Sequence, residues 1–337
     1  MAASNKRLLY TDYHVAWICP LEVELLSARL MLDEEHDPPA YDTHYDDNIY
    51  IYGTVLGHAT VVATCPRGLT GNVNAGRLTG VVRKTFPNIN MTLLVGIGGG
   101  VPHASPKKDP FENLHLGDVV VGWSGDGKPA VVHYDFGRQK VDGQYEVLGT
   151  IDRPEWRLTN ALSIVASDHL MSKTKFQDHL QRLTECGKFQ YPGAEQDRLF
   201  EADYHHHGEY NSECAGCDPA KLIERPKRTE GKTKKFVFRQ GRIATGNSVI
   251  QDGEYRDQVS KRCGGVLCFE MEAAGVDASG NCLVIRGVSD YADSHKSDAW
   301  KYYAAGNAAV FARELLRKIP PTEIKQTHGT IGRPTEG

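Results

Sequence analysis

The sequence predicts an α/β protein whose mainly parallel or mixed sheet is covered by helices on both faces. Short apolar runs rich in β-branched residues recur along the chain, and stretches with helical spacing separate them. Strands that alternate with helices pack as a sheet between two helical layers. The length of 337 residues is sufficient for one large α/β domain or two ordinary ones.

The predicted elements follow one another in this alternating order. Strands are predicted in the first half at residues 14–19, 49–56, 60–64, 91–96 and 118–123, and in the second half at 235–238, 242–245, 266–269 and 283–288. Helices are predicted at 21–32, 71–86, 156–170, 175–186 and 300–319. The last helix ends before Pro320 and Pro321, because proline cannot continue a helix.

A polar stretch lies in the middle of the chain, between about residues 153 and 235. Because strands are predicted on both sides of it, we expect an insertion within one domain and not a linker between two. The predicted organisation is one domain over residues 1–319, with the polar insertion at about 165–235. Residues 320–337 are polar and are expected to form a flexible tail.

Composition excludes several classes of function. The formal net charge of −4 gives no overall attraction to nucleic acid. No apolar run approaches the length of a membrane span, and the first fifteen residues show no secretory signal. The eight cysteines are scattered, several of them inside predicted strands, which suits a reducing compartment better than a disulfide framework. A cytoplasmic protein without nucleic-acid or membrane partners is therefore expected.

Three sequence patterns resemble known binding motifs but do not satisfy them. A dinucleotide fingerprint beginning at Gly96 would need a glycine at the position of Val101. A phosphate-binding loop ending in Gly-Lys-Thr at 231–233 would need a glycine at Pro226. The basic stretch 225–235 is predicted to be a solvated loop. No cofactor is expected.

The most metal-like cluster combines the histidines at 205–207 with Cys214 and Cys217. A structural zinc site needs four ligands and usually draws them from two pairs. Since the sequence contains only one C-x-x-C pair, no metal is predicted.

Four separated segments carry polar residues that packing alone does not explain: 19–24, 67–74, 269–274 and 286–293. Each follows or interrupts an apolar strand, and ligand sites of open α/β sheets gather outside the carboxyl ends of the strands. Structural alternatives exist for each. Glu22 and Glu24 suit the first turn of a helix, and Arg286 and Asp290 suit an ion pair. Together the four segments favour a binding site.

The motifs in these segments resemble those of the nucleoside phosphorylase and nucleosidase superfamily. The resemblance covers about residues 13–318 and rests on ICPLEVE, RGLTGNVNAG, LLVGIGGGVP, LHLGDVVVG, IATGNSVIQDG, CFEMEAAGV and VIRGVSDYAD. It is greatest to fungal purine nucleosidase-like proteins, whose domain also occurs fused to signalling modules. It implies a three-layer αβα fold with a central mixed sheet, a small-molecule purine nucleoside as ligand, and a homo-oligomer, most simply a dimer.

The resemblance assigns catalytic roles to two acids. Asp290 would protonate ring nitrogen 7 of the departing purine, which requires a carboxyl group that burial keeps protonated near neutral pH. Glu24 aligns with the glutamate that activates water in nucleosidases, on the ribose side of the site.

Further residues are assigned to substrate binding by the same resemblance. Glu272 would accept both secondary hydroxyls of the ribose, next to Met271, and Arg286 and Ser289 would support the two acids. The remaining assigned positions are Val249 and Ile250 in the base pocket, together with Asn247, Leu69 and Gly98.

Water is favoured over phosphate as the attacking group. Hexameric phosphorylases of the superfamily carry a phosphate-binding arginine and a serine where this chain has Leu94 and Ile97. Neither residue donates to an anion, and a phosphate without charge-assisted donors is costly to hold. Arg67, beside a glycine turn, leaves phosphorolysis open.

The predicted function is hydrolysis of purine ribonucleosides, adenosine and possibly inosine and guanosine, to the free base and ribose. Three alternatives stay open: a purine nucleoside phosphorylase, a hydrolase of methylthioadenosine or adenosylhomocysteine, and a nucleoside-binding regulatory module without turnover.

Overall fold

A mixed sheet forms the centre of the protein. The computed structural model describes residues 6–103, 105–123, 125, 127–151, 153–209, 214–226, 228, 236–277 and 282–322. Within these residues the strands are β1 Val15–Ile18, β2 Glu34–Glu35, β3 Tyr50–Val55, β4 His58–Ala63, β5 Met91–Gly100, β6 Val119–Gly122, β7 Val131–Gln139, β8 Tyr145–Ile151, β9 Phe238–Gly241, β10 Ile243–Thr245, β11 Cys268–Glu270 and β12 Leu283–Asp290. The α-helices are α1 Glu22–Leu30, α2 Asn72–Thr85, α3 Trp156–Leu170, α4 Phe176–Leu183, α5 Gly253–Arg262, α6 Ala273–Asp277 and α7 Lys301–Leu316.

Strand β5 is the centre of the sheet. It pairs in parallel with β1 on one side and with β12 on the other, and its last residues pair antiparallel with β11. The path continues through β10 and β7 to β8 at one edge, and through β4 and β3 to β2 at the other. Strands β6 and β9 extend it beyond β12. Parallel and antiparallel pairs occur together, so the predicted mixed sheet is confirmed.

Helices cover both faces of the sheet. Along β1, Trp17 packs into a core shared with α3, α4 and α7, whereas Ile18 packs into a core shared with α2 and α6. Successive side chains of a strand point to opposite faces, so a strand buried on both sides is apolar throughout. This explains the continuous apolar runs in the sequence and confirms three layers.

Several elements differ from the prediction. Strand β5 continues through the glycine run to Gly100, beyond the predicted end at Gly96. The hairpin of β7 and β8 was missed, because the second half of β7 is exposed and charged and lacks an apolar run. Helices α5 and α6 were also missed. Of the described helices, none has the length and apolar character needed to cross a membrane.

The polar middle of the chain contributes to the core. In α4, Phe176 stacks on Phe236 with the ring centroids 4.0 Å apart. Arg225 is buried and bonds to Asp197 at 3.0 Å, so the expectation of a solvated loop is wrong at this residue. The boundaries of the predicted insertion remain a prediction, and residues 323–337 of the predicted tail lie outside the described residues.

Candidate active site

The glycine run at the end of β5 provides the space for the site. Gly96 pairs with Arg286 on the neighbouring strand β12. A side chain at Gly96 would overlap the Glu24 carboxylate and the Arg286 guanidinium, and one at Gly98 would overlap Cys268. Glycine is therefore required here because charged side chains at Gly96, and a thiol and a backbone carbonyl at Gly98, lie too close for a Cβ atom. Side chains from neighbouring elements pack directly against the backbone of this glycine run, which is part of strand β5 and not a dinucleotide loop.

Arg286 is the centre of a buried cluster of charges. Its side chain is 1% exposed, and its Nη2 donates to Glu270 and to Glu272, the latter at 3.2 Å. Its Nη1 lies 3.6 Å from Oε1 of Glu24. Three carboxylates from α1 and the end of β11 therefore surround one guanidinium. The structure joins Glu24 and Glu272 through Arg286, and the alternative Arg286–Asp290 ion pair does not form.

Glu24 is held in place by both of its carboxylate oxygens. Oε2 accepts the backbone N–H of Leu21 at 2.8 Å, which caps helix α1, and Oε1 accepts the N–H of Ile97 at 2.8 Å. Burial raises its pKa to about 7, with Glu272 adding to the rise, while Arg286 and the two N–H donors oppose it. The side chain thus both caps its helix and reaches the end of β5.

Glu272 and Glu270 come from one short motif but make different contacts. Glu270 accepts the backbone N–H groups of Glu272 and Ala273 at 3.1 Å, at the start of α6. Oε1 of Glu272 accepts the N–H of Gly71 at 3.1 Å, in the turn before α2. Burial raises the pKa of Glu272 above its ordinary value, Arg286 lowers it, and Glu270 raises it further.

Asp290 lies at the end of β12 in a separate set of contacts. Its Oδ2 accepts from Ser289 Oγ at 2.8 Å and from Lys296 Nζ at 2.7 Å, and its Oδ1 accepts the N–H of Ala292 at 3.0 Å. Burial raises the pKa of this carboxyl, but the Lys296 ammonium and the other donors outweigh burial, so the pKa lies below its usual value. The expectation of a carboxyl kept protonated by burial is therefore wrong for the free site.

Three other predicted binding residues contact the acids or the residues next to them. Ser289 Oγ also approaches the carbonyl of Gly98 at 3.4 Å. Met271 is partly buried, and its backbone bonds to the Glu272 carboxylate. Asn247 accepts from Asn72 at 3.4 Å, beside the turn that binds Glu272.

For three predicted binding residues, the contacts of the described residues show no link to Glu24, Glu272 or Asp290. Ile250 is buried in a small apolar cluster with Phe269. Val249 and Leu69 are about half exposed, at 55% and 51%. Their assignment to the substrate stays a prediction.

Two residues of the site were missed by sequence reasoning. Glu270 lies in the same motif as Glu272, but its proximity to Arg286 depends on strand pairing that the sequence does not show. Lys296 lies in a loop without periodicity, six residues after Asp290.

A cavity of about 390 Å³ opens beside Asp290. Its lining includes Ser289 and Tyr291 from β12 and its loop, and Arg198 and Cys214 from the middle of the chain. Glu24 and Glu272 are not among its lining residues. The cavity therefore reaches Asp290 from the side of the polar middle, away from the Arg286 cluster.

Solved structures of nucleosidases share this fold. The 5′-methylthioadenosine/S-adenosylhomocysteine nucleosidase from Neisseria meningitidis, in complex with methylthio-immucillin-A, aligns with a TM-score of 0.55 and 18% identity, over 91% of this chain and 99% of that chain. Futalosine hydrolase of Helicobacter pylori aligns with a TM-score of 0.56 and 15% identity, over 91% of this chain and 99% of that chain. A putative 5′-methylthioadenosine/S-adenosylhomocysteine nucleosidase from Borrelia burgdorferi, bound to adenine, aligns with a TM-score of 0.57 and 16% identity, over 90% of this chain and 100% of that chain. The predicted nucleoside phosphorylase-like fold is confirmed, and at these identities the likeness establishes the fold alone.

A relative with higher identity is a fungal protein. The chain is 33% identical over 326 residues to a nucleotide-binding leucine-rich repeat (NLR)-like protein from Hyaloscypha variabilis. The match covers 96% of this chain but 31% of that protein, so the chain spans about a third of its relative's length. No protein-family profile matches the chain. The particular likeness to fungal purine nucleosidase-like proteins stays a prediction.

Proposed function

We propose that this chain hydrolyses the N-glycosidic bond of purine nucleosides. The observation that carries the proposal is the contact of one buried arginine, Arg286, with both Glu24 and Glu272, four residues before Asp290 on the same strand. Acids with opposite pKa shifts on neighbouring elements are typical of sites that remove a proton at one point and supply one at another.

Glu272 is proposed to hold the ribose. Arg286 and the N–H of Gly71 fix its carboxylate in one orientation, and its oxygens have further lone pairs that accept the two secondary hydroxyls. Such a grip orients the sugar for attack and lowers the entropic part of the barrier. Met271 is proposed to pack against the ribose.

Glu24 is proposed to activate the attacking water. Its pKa of about 7 places the carboxylate close to the value at which a general base is most effective near neutral pH. In the proposed step, water adds to the anomeric carbon and gives up its proton to Glu24. The electrons of the broken glycosidic bond pass to the purine.

Asp290 is proposed to supply the proton that the departing purine needs. In the free site Lys296 keeps this carboxyl ionised, and a lone pair on ring nitrogen 7 repels a carboxylate. We infer that nucleoside binding raises the proton affinity of Asp290, because the base both excludes water and brings this lone pair. The proton then passes from Asp290 to ring nitrogen 7, so that the purine leaves neutral.

The charge of the Arg286 cluster supports water over phosphate. Three carboxylates face one guanidinium, so the surroundings of Glu24 are not positive even when one carboxyl is protonated. A phosphate anion near Glu24 would be repelled. Leu94 is fully buried in the core and the N–H of Ile97 is already bonded to Glu24, which leaves neither position to bind an anion.

The similar structures support an adenine-containing substrate. Two of them are 5′-methylthioadenosine/S-adenosylhomocysteine nucleosidases, one of these putative, and the putative one is bound to adenine. Adenosine is the simplest nucleoside of this kind, and Asp290 is also suited to accept from a 6-amino group.

The test is a product assay with the purified chain. Adenosine, inosine, guanosine and methylthioadenosine are incubated with and without phosphate, and ribose products are separated from their 1-phosphates. We expect free sugar at the same rate in both conditions. Formation of ribose 1-phosphate, with no reaction in the absence of phosphate, would identify a phosphorylase and refute hydrolysis.

A second candidate function is nucleoside recognition without turnover. It is favoured by the relative from Hyaloscypha variabilis, an NLR-like protein of which this chain matches only 31%. A domain in such a protein can report ligand binding to other domains. This candidate predicts saturable nucleoside binding by calorimetry and no release of base, whereas turnover supports the first.

A further inference from the structure

Three metal-binding side chains meet beside the active site, although the sequence separates them widely. The ligand atoms of His206, Cys217 and His295 all lie within 4.8 Å of one another. Cys217 Sγ is 3.3 Å from His206 Nδ1. In a tetrahedral zinc site, bonds of about 2.0–2.3 Å put neighbouring ligand atoms roughly 3.3–3.8 Å apart. The cluster is therefore close to the size that such a site requires.

His295 supplies a second, independent observation. Its side chain is 3% exposed, and both ring nitrogens are buried without a hydrogen-bond partner. Phe200 stacks on its ring with centroids 4.0 Å apart, which fixes the ring's plane. Two unpaired buried nitrogens are costly unless something binds them. A metal ion on one nitrogen removes the cost for that nitrogen.

The surroundings of His295 resemble the outer shell of a zinc site. Asp293 Oδ1 lies 3.8 Å from His295 Nδ1. Metal-bound histidines usually direct their second nitrogen at a carboxylate, which fixes the tautomer and the ring. Asp293 is placed to serve in this way, and Nε2 is then the nitrogen for the metal.

Cys214 is the candidate for a fourth ligand, although it lies outside the group of three whose ligand atoms are within 4.8 Å of one another. It lies three residues before Cys217, with the N–H of Cys217 directed at the Cys214 carbonyl at 3.3 Å. The two thiols also bond to each other. Two cysteines and two histidines are a frequent ligand set of structural zinc, and two sulfur with two nitrogen donors in a tetrahedron favour zinc over harder cations. The sequence offered one C-x-x-C pair, and the fold adds His295 from the loop after β12.

We propose that His206, Cys214, Cys217 and His295 bind one structural Zn²⁺ ion that ties the polar middle of the chain to the active-site loop. The ion links His206 and the Cys214 and Cys217 pair to the segment that follows Asp290. Lys296, which bonds to Asp290, is the next residue after His295. The ion therefore acts as a positioning element for the Lys296–Asp290 pair. The assignment rests on its own geometry and does not depend on the proposed hydrolysis.

The direct test is the metal content of the full chain after reconstitution with Zn²⁺ under reducing conditions and removal of excess metal. We expect about one zinc per chain. Cys217→Ser and His295→Ala are expected to lose the ion, and Cys214→Ser to bind it more weakly. Cys186→Ser is the matched control, because this partly exposed thiol lies outside the cluster and its loss should leave the zinc content unchanged.

A titration of the wild-type chain with Co²⁺ keeps the test independent of whether the variants fold. Cysteine–cobalt bonds give intense near-ultraviolet and visible bands, which we expect to saturate at one ion per chain and to disappear on addition of Zn²⁺. Circular dichroism identifies variants that remain folded. A wild-type chain without bound zinc and without cobalt–thiolate bands would overturn the proposal. Folded Cys217→Ser and His295→Ala chains that keep the full zinc content would also overturn it.

Discussion

Two groups of buried acids near strand β12 have opposite charge balance. Around Arg286, three carboxylates face one guanidinium, and the pKa values of Glu24 and Glu272 are raised. Around Asp290, one carboxylate accepts hydrogen bonds from an ammonium, a hydroxyl and a backbone N–H, and its pKa is lowered. Both groups are almost fully buried.

The comparison shows that burial alone does not set the protonation of these acids. Desolvation raises the pKa of every buried carboxyl, and the balance of neighbouring charges decides the outcome. Asp290 has the Lys296 ammonium beside it, whereas Glu24, Glu270 and Glu272 share one guanidinium. Sequence reasoning expected a protonated Asp290 and an ionised Glu24, because it had only burial and motif to work with. The structure reverses the order of their pKa values in the free site. The predictions below test whether the two groups also have separate tasks.

The largest effect is expected from Asp290→Asn. Asparagine cannot pass on a proton from a carboxyl group, so kcat on adenosine should fall by about 10³-fold, whereas the nucleoside still binds. Steady-state kinetics and calorimetry with adenosine measure the two quantities. Asp178→Asn, an exposed substitution on α4 at a residue that does not line the cavity beside Asp290, is the control. Full activity of Asp290→Asn would show that Asp290 does not supply the proton to the purine.

A smaller loss is expected from Glu24→Gln. The amide keeps the shape of the side chain but cannot take a proton from water, so kcat should fall by about 10²-fold. Glu22→Gln, an exposed change in the same helical turn, controls for effects on α1. Equal activities of the two variants would show that Glu24 only caps its helix and supports Arg286.

A moderate effect on stability is expected from Glu270→Gln. It removes the charge of one partner of Arg286, and loss of a buried charge-assisted hydrogen bond costs about 2 kcal/mol of unfolding free energy. Urea denaturation of this variant and of the exposed control Glu254→Gln measures the difference. Unchanged stability would mean that Glu24 and Glu272 suffice to compensate Arg286.

The smallest effect is expected in the pH dependence of the wild-type chain. Glu24 must be ionised to accept a proton, and its pKa is about 7. Activity should therefore rise as the pH increases through about 7, and fall roughly fivefold between pH 7 and pH 6. The rise should be absent in Glu24→Gln. A profile that is flat between pH 6 and pH 8 would contradict the raised pKa.

The acids proposed to be catalytic could be singled out in the sequence because they lie in short motifs next to apolar strands. Glu24, Glu272 and Asp290 all follow or end a predicted strand, and strand ends meet at one edge of an α/β sheet. The three layers were predictable for a similar reason, since strands buried on both faces are apolar throughout.

The parts that sequence reasoning missed depend on contacts between distant segments. Lys296 and His295 lie in an irregular loop, where no periodicity shows which way a side chain points. Glu270 bonds to Arg286 only because β11 and β12 both pair with β5. The glycines at the end of β5 looked like a failed nucleotide loop. The structure explains Gly96 by the charged side chains of Glu24 and Arg286, and Gly98 by Cys268, because these leave no room for a Cβ atom.

The most direct test of the central claim is a crystal structure with a non-hydrolysable adenosine analogue. We expect Asp290 within about 3 Å of ring nitrogen 7, the Glu272 carboxylate on both secondary hydroxyls, and a water between Glu24 and the anomeric carbon. An analogue bound away from Arg286, with these three acids making no contact to it, would contradict the account.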